Sequence, residues 1–330
     1  MGIINLEQNE LEKALEWFKK SLQSQVKLKI FPQRISIFKN IGLIYQAQGN
    51  LDEAYNFFQQ GLKINLKYKD MKIESELYNQ LGLLELDRSN YKGAIKNFEI
   101  SLKINEKLND LQEKAFTLKN IAATHVRSKN ISAALKNLSE AMEINNTLGN
   151  MIEQGNILNN LGLIHHIDGN SILGIEKCNN ALDIFNQMQF IEGKMDVLNN
   201  LGEIYRDQWN YPRAHEYFKE AVQLAEDYGK IEKQAKFSTQ IGIIFRNQDK
   251  YFEALEWLET ALNLYDQIGN LRGKVEALKN VGLIYKKQRN FSKSLRRFEK
   301  ILEIYQRLND TRGTATFLNI IGLIHVDQRN

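Results

Sequence analysis

Eight glycines, Gly2, Gly42, Gly82, Gly162, Gly202, Gly242, Gly282 and Gly322, are spaced by forty residues or a multiple of forty, and Ala122 fills the one missing place. Twelve residues after every such position but the last comes a second small residue: Ala14, Ala54, Ala94, Ala134, Gly174, Ala214, Ala254 and Ser294. Four further on stands a mostly bulky apolar one: Phe18, Phe58, Phe98, Leu138, Cys178, Phe218, Leu258 and Phe298. No insertion or deletion interrupts the frame. A strict period of this length describes a single supersecondary unit stacked on itself, each copy covering the apolar face its neighbour cannot bury alone.

Inside one unit the periodicity is helical. Phe38, Ile41, Gly42, Ile44 and Tyr45 follow a three-and-four spacing, and Ala54, Phe58, Leu62, Ile64 and Tyr68 follow it more loosely. This predicts a helix A over about 35–48 and a helix B over about 51–68. An asparagine between them recurs at Asn50, Asn90, Asn130, Asn170, Asn210 and Asn290. It either takes a left-handed backbone or caps helix B. The glycine in helix A and the small residue in helix B share one explanation: they let two backbones approach while the large apolar knob fills the space beside them.

Ile41-Gly42, Tyr45, Ala54 and Phe58 carry the small–aromatic–small–aromatic signature of a helix pair, and on these residues the chain resembles the tetratricopeptide repeat (TPR) family over essentially its whole length. The forty-residue unit without a proline after helix B is similar to the longer repeats of kinesin light chains, spindle-orientation adaptors and many microbial TPR arrays. The resemblance implies an all-α fold, an α-solenoid of antiparallel helix pairs wound into a TPR superhelix. In this frame residues 1–34 are a partial repeat (half a helix A plus helix B), 35–314 are seven complete units, and 315–330 are a helix A alone. The chain is then expected to be a segment of a longer protein or to associate end to end with another copy.

Composition narrows the function. Two prolines and 20 glycines leave little room for long irregular loops. No run of eighteen apolar residues and no basic-then-apolar leader are found, which argues against a membrane span and a secretory route. A single cysteine makes no internal disulfide, so a cytoplasmic location is expected. The net charge of +4 is too small to imply nucleic acid, although Gly229–Asn330 holds 18 basic and 11 acidic residues, a local +7. A nucleic-acid partner is further disfavoured because aromatic and basic residues do not alternate on the A helices.

Sequence motifs for phosphate loops, metalloprotease helices, nucleophile elbows and paired cysteines are all absent. No enzyme activity, catalytic residue, metal ligand or cofactor is therefore expected. His125, His165 and His325 occupy the Tyr45 register and read as packing residues; Cys178 reads as a small buried hydrophobe. Glu85 replaces an aromatic and needs a partner if half-buried. Gly174 and Cys178 together predict that the helix B near 171–188 is the softest in the array.

One register on the helix A face stands apart. It reads Asn40, Gln80, Asn120, Asn160, Asn200, Gln240 and Asn280, with Ile320 ending the series. A chain with 35 asparagines in 330 residues would place fewer than one there by chance, and asparagine is a mediocre helix former. Amides donate and accept together, so such a ladder can hold the backbone of an extended peptide with little regard to its sequence. In TPR proteins asparagines on this face line the groove and hold ligand backbone, which the resemblance implies here. The expected groove comprises these seven with Asn159, Asn199, Arg206, Arg246, Lys279 and Lys286. The basic C-terminal end suits an acidic ligand segment. The expected function is a protein- or peptide-binding scaffold holding an extended ligand in a concave groove; the alternative is a regulatory or sensor module of a larger enzyme or transcription regulator.

Overall fold

A computed structural model describes residues 11–28, 31–308 and 310–328. Gly2, the first of the glycine series, lies outside them. Among the described residues there are sixteen helices and no strand. In chain order they are α1 Leu11–Leu28, α2 Phe31–Ala47, α3 Leu51–Tyr68, α4 Met71–Asp87, α5 Tyr91–Leu108, α6 Leu111–Arg127, α7 Ile131–Leu148 and α8 Met151–Ile167. They continue as α9 Ser171–Gln187, α10 Ile191–Asp207, α11 Tyr211–Asp227, α12 Ile231–Asn247, α13 Tyr251–Gln267, α14 Leu271–Lys287, α15 Phe291–Arg307 and α16 Thr311–Asp327. Even-numbered helices are the A helices and odd-numbered ones the B helices. The fold is all-α, a solenoid of antiparallel helix pairs. The chain divides into two compact units, residues 1–157 and 158–330, the division falling within α8.

Each pair is locked where the glycine frame predicts. In the first unit the Phe58 ring lies directly against Gly42, so that a Cβ on Gly42 would sit 2.5 Å from the ring, and Phe98 lies against Gly82 in the same way. In the second unit Phe218 and Phe298 lie against Gly202 and Gly282. These four rings are fully buried. Burying one phenylalanine stabilises by roughly 1.5–3 kcal/mol. Where alanine replaces the glycine, at Ala122, the knob shrinks to Leu138, and both residues stay buried.

The turns resolve what the asparagines do. The residue before each asparagine takes the left-handed conformation, as Gly49, Ser89, Lys129, Gly169, Trp209 and Arg289 do. The asparagine itself caps helix B. The side chains of Asn90, Asn130, Asn170, Asn210 and Asn290 accept a hydrogen bond from the backbone N–H three residues on, while Asn50 makes no such bond. Ser89 N donates to Leu86 O and Asn90 N to Glu85 O, at 3.0 and 2.8 Å, the paired closure of a helix that ends in a left-handed residue. Between pairs the same device recurs with other residues: Lys69 and Asn109 are left-handed, and Asp70 and Asp110 cap the next A helix. A capped left-handed turn ends helix B without the usual proline.

The Glu85 carboxylate does have partners, Asn90 Nδ2 at 2.6 Å and Arg88 Nη1 at 3.5 Å. Cys178 is fully buried, and burial pushes its thiol up to about 12. It shares its pair with two facing glycines. A Cβ on Gly174 would meet the Gly162 carbonyl oxygen at 2.7 Å, and one on Gly162 would meet the Gly174 oxygen at 2.8 Å. Backbone packs on backbone there, which explains why this pair carries glycine and cysteine where others carry alanine and phenylalanine.

Candidate functional site

The amide register falls on one face of each A helix from α2 to α14, and its two parts are described unit by unit. In the first unit Asn40 on α2, Gln80 on α4 and Asn120 on α6 are half-buried and make no side-chain hydrogen bond among the described residues. The Asn120 Nδ2 donor is itself buried without a partner. The cations beside the row are already occupied: Lys39 pairs with Glu76 at 2.6 Å, and Lys119 pairs with Glu153. One residue before Gln80, Asn79 is buried and donates to Thr117 Oγ1 at 3.0 Å. Thr117 Oγ1 also accepts from Asn105 Nδ2, and Asn105 Oδ1 accepts from Ser75. This buried polar chain ties α4, α5 and α6 together and fixes the spacing at which Gln80 and Asn120 are presented.

In the second unit the row is partly closed on itself. Asn160 is exposed and makes no side-chain hydrogen bond among the described residues. Asn159 is buried, and its Oδ1 accepts from Asn200 Nδ2 at 2.9 Å and from Cys178 Sγ at 3.8 Å. Asn199 Nδ2 donates to Glu203 Oε1 at 2.9 Å and to Asn200 Oδ1 at 3.3 Å. Arginines from the preceding A helix clasp the next two amides. Arg206 Nη1 donates to Gln240 Oε1, and Arg246 Nη1 donates to Asn280 Oδ1. Gln240 and Asn280 are 7% and 2% exposed, and Asn280 also donates to the Glu276 carbonyl at 2.9 Å.

Thus the sequence-predicted residues do not form one uniform strip. The structure brings Arg206 to Gln240, Arg246 to Asn280, and Asn159 and Asn199 to Asn200. Lys279 is exposed and makes no hydrogen bond or ion pair among the described residues, and Lys286 turns to Asp327 at 2.8 Å. The row as read from the sequence is solvent-facing throughout; in the structure Asn160 alone of the seven is exposed, Asn40, Gln80, Asn120 and Asn200 are half-buried, and Gln240 and Asn280 are buried, each held by a guanidinium from thirty-four residues earlier. Burial, followed by the like charge of Arg206, holds the Arg246 guanidinium below its ordinary value.

Sequence reasoning also missed a cavity of about 940 Å³ at the A–B turns of the second unit. Trp209, Arg246, Tyr251, Lys287, Arg289 and Phe291 are among its walls. The signal available was Trp209, a tryptophan at a turn position that other units fill with glycine, serine, lysine, aspartate or arginine.

A tetratricopeptide repeat model matches residues 74–147, 153–227 and 234–328, and a second matches 37–68. The chain belongs to the tetratricopeptide repeat family. Among curated proteins none matches the sequence significantly. Solved structures are similar in fold at low identity. The apo form of RapI is 15% identical with a TM-score of 0.62, covering 83% of this chain and 98% of its own. Aspartyl phosphate phosphatase F from Bacillus subtilis is 14% identical with a TM-score of 0.60, covering 98% and 92%. A signal transduction ATPase with numerous domains and a tetratricopeptide repeat sensor, from Pyrococcus horikoshii, is 17% identical with a TM-score of 0.62. The match covers 96% of this chain and 52% of the ATPase, so the chain spans about half its length. None of the described helices is long and apolar enough to cross a membrane.

Proposed function

We propose that this chain is a protein-interaction scaffold that holds an extended segment of a partner along the A helices of its first unit. The observation that carries this reading is the set of unpartnered amides at Asn40, Gln80 and Asn120, one per A helix and each in the same register. A buried or half-buried amide without an internal partner has unmet hydrogen-bonding capacity that a peptide backbone satisfies on both sides. Each such bond contributes about 0.5–1.5 kcal/mol net. The regularity of the helix pairs supports a binding role over a catalytic one, since chemistry needs a site that departs from the repeating pattern.

The test is selection of binders from a displayed library of random peptides on the native protein, followed by titration of the winners against the N40A/Q80A/N120A variant. The reading expects affinity to fall at least tenfold with the melting temperature unchanged or higher, because these side chains make no hydrogen bond among the described residues. Unchanged affinity would sink it. A sensor module within a larger protein is a second reading, favoured by the fold likeness to the sensor-bearing ATPase. It is tested by whether peptide binding alters the activity of any domain joined to this chain.

A further inference from the structure

We infer that the cavity at the turns of the second unit receives an aromatic side chain flanked by carboxylates, presented by a peptide partner. The inference rests on the scaffold reading above and adds a specificity pocket to it. Trp209 is where the argument begins. It is 77% exposed, and its φ of 62° lies in the left-handed region, which bulky residues avoid. The left-handed backbone is common to the equivalent turns, at Ser89, Lys129, Asp249 and Arg289 among others; what sets this turn apart is an indole that buries little and lines a cavity. Tyr211 meets the indole edge-on at 6.1 Å, leaving its 77% exposed surface available for stacking.

The charge of the cavity points the same way. Its walls carry four cations, Arg246, Lys286, Lys287 and Arg289, against two carboxylates, Asp249 and Asp327, a net of +2. Both carboxylates are already engaged, Asp249 with the Tyr251 hydroxyl at 2.6 Å and Asp327 with Lys286 at 2.8 Å. Lys287 and Arg289 are exposed and make no ion pair among the described residues. Arg246 is half-buried, and its acceptors are the neutral amides of Asn280 and Asn247. A desolvated guanidinium held by neutral acceptors favours an incoming anion. The scaffold reading makes a peptide the occupant here, in place of a free nucleotide, which would offer an aromatic ring and an anion but no chain to carry further contacts.

The experiment uses a fluorescein-labelled, acetylated Glu-Glu-Tyr-Glu-Glu peptide and fluorescence anisotropy on the whole chain. Trp209→Gly should weaken binding about tenfold while leaving the melting temperature equal or higher, and Trp209→Phe should stay within about threefold of the native protein. Lys287→Gln with Arg289→Gln should weaken binding about fivefold and flatten its salt dependence, and so should the Gln-Gln-Tyr-Gln-Gln peptide on the native chain. Affinity within twofold of native for Trp209→Gly, or equal binding of the glutamine peptide, would overturn the inference. So would displacement of the labelled peptide by adenosine monophosphate more readily than by unlabelled peptide. The peptides selected on the native chain separate the two readings. If they bind N40A/Q80A/N120A as tightly as the native chain while Trp209→Gly weakens the labelled probe, the groove reading fails and the cavity stands. If N40A/Q80A/N120A weakens them but Trp209→Gly leaves the labelled probe unchanged, the cavity fails alone.

Discussion

The two compact units use the same registers for different ends. In the first, the amides on α2, α4 and α6 are left open, and the cations beside them are paired with glutamates. In the second, arginines on α10 and α12 close over Gln240 and Asn280, and the amides become part of the packing. The small positions diverge as well. Ala54, Ala94 and Ala134 in the first unit sit beside Phe58, Phe98 and Leu138; Gly174 in the second sits against the backbone of Gly162. A repeat register therefore specifies where a side chain is placed, and the neighbouring helix decides whether it is available to a ligand.

The largest effect should come at Gly174. Helix propensity alone says that Gly174→Ala stabilises by about 1 kcal/mol. The structure says the new methyl would meet the Gly162 carbonyl at 2.7 Å and His166 N at 3.2 Å, atoms that cannot rotate away. We expect a net loss of about 1–3 kcal/mol, read as a lower urea midpoint. A gain in stability would erase this contrast between the units.

Next in size is the clasp. Asn280→Ala removes both the acceptor for Arg246 and the donor to Glu276 O, and leaves a half-buried guanidinium one acceptor short. It should cost about 1–2 kcal/mol. Arg246→Ala should cost a similar amount, and the double variant less than the sum of the two, since the partners are coupled. Strict additivity would show that the clasp holds nothing.

Asn120→Ala is the matched substitution in the first unit. It deletes a buried donor that has no partner and installs a better helix former, so stability should hold or rise by up to about 1 kcal/mol. Affinity for a peptide selected on the native chain should nevertheless fall roughly twofold to tenfold. The two units then differ as proposed: one substitution harms folding, its counterpart harms binding.

The smallest effect is in pH. His125 in the first unit and His215 in the second are held below the ordinary histidine value of 6.5, in both cases chiefly by burial. A folded state that disfavours the charged form gives stability that is present above the unfolded value and lost as pH falls through the folded one. The melting temperature should decline modestly between pH 7 and pH 5, and His125→Phe should flatten part of that decline.

Much of the fold was legible because its determinants are local and recur. The glycine frame and the knob four residues after each small position locate the contacts of Gly42 with Phe58 and Gly282 with Phe298. The asparagine at the turn was ambiguous because its neighbour's backbone was unknown; the left-handed residue turned out to be the one before it. The candidate site was less legible. Whether Asn280 faces water depends on Arg246, thirty-four residues earlier, and a register read down one helix face does not include the reach of a side chain from the next. The cavity around Trp209 was hidden for a related reason: its walls come from three successive turns and the A-helix ends between them, and no short motif spans them.

The short turns between helices A and B bear on how the chain acquires this structure. Ser89 and Asn90 close α4 onto α5 through bonds to Leu86 and Glu85, and the ring of Phe98 reaches Gly82 from only sixteen residues away. Closing so small a loop has a low entropic cost, and helix hairpins of this kind form quickly. Each pair carries its own nucleus, so assembly can begin at any of them and spread to the neighbours. During synthesis the pairs nearest the ribosome exit can form in turn, and the chain need not wait for its last residue before it starts to fold.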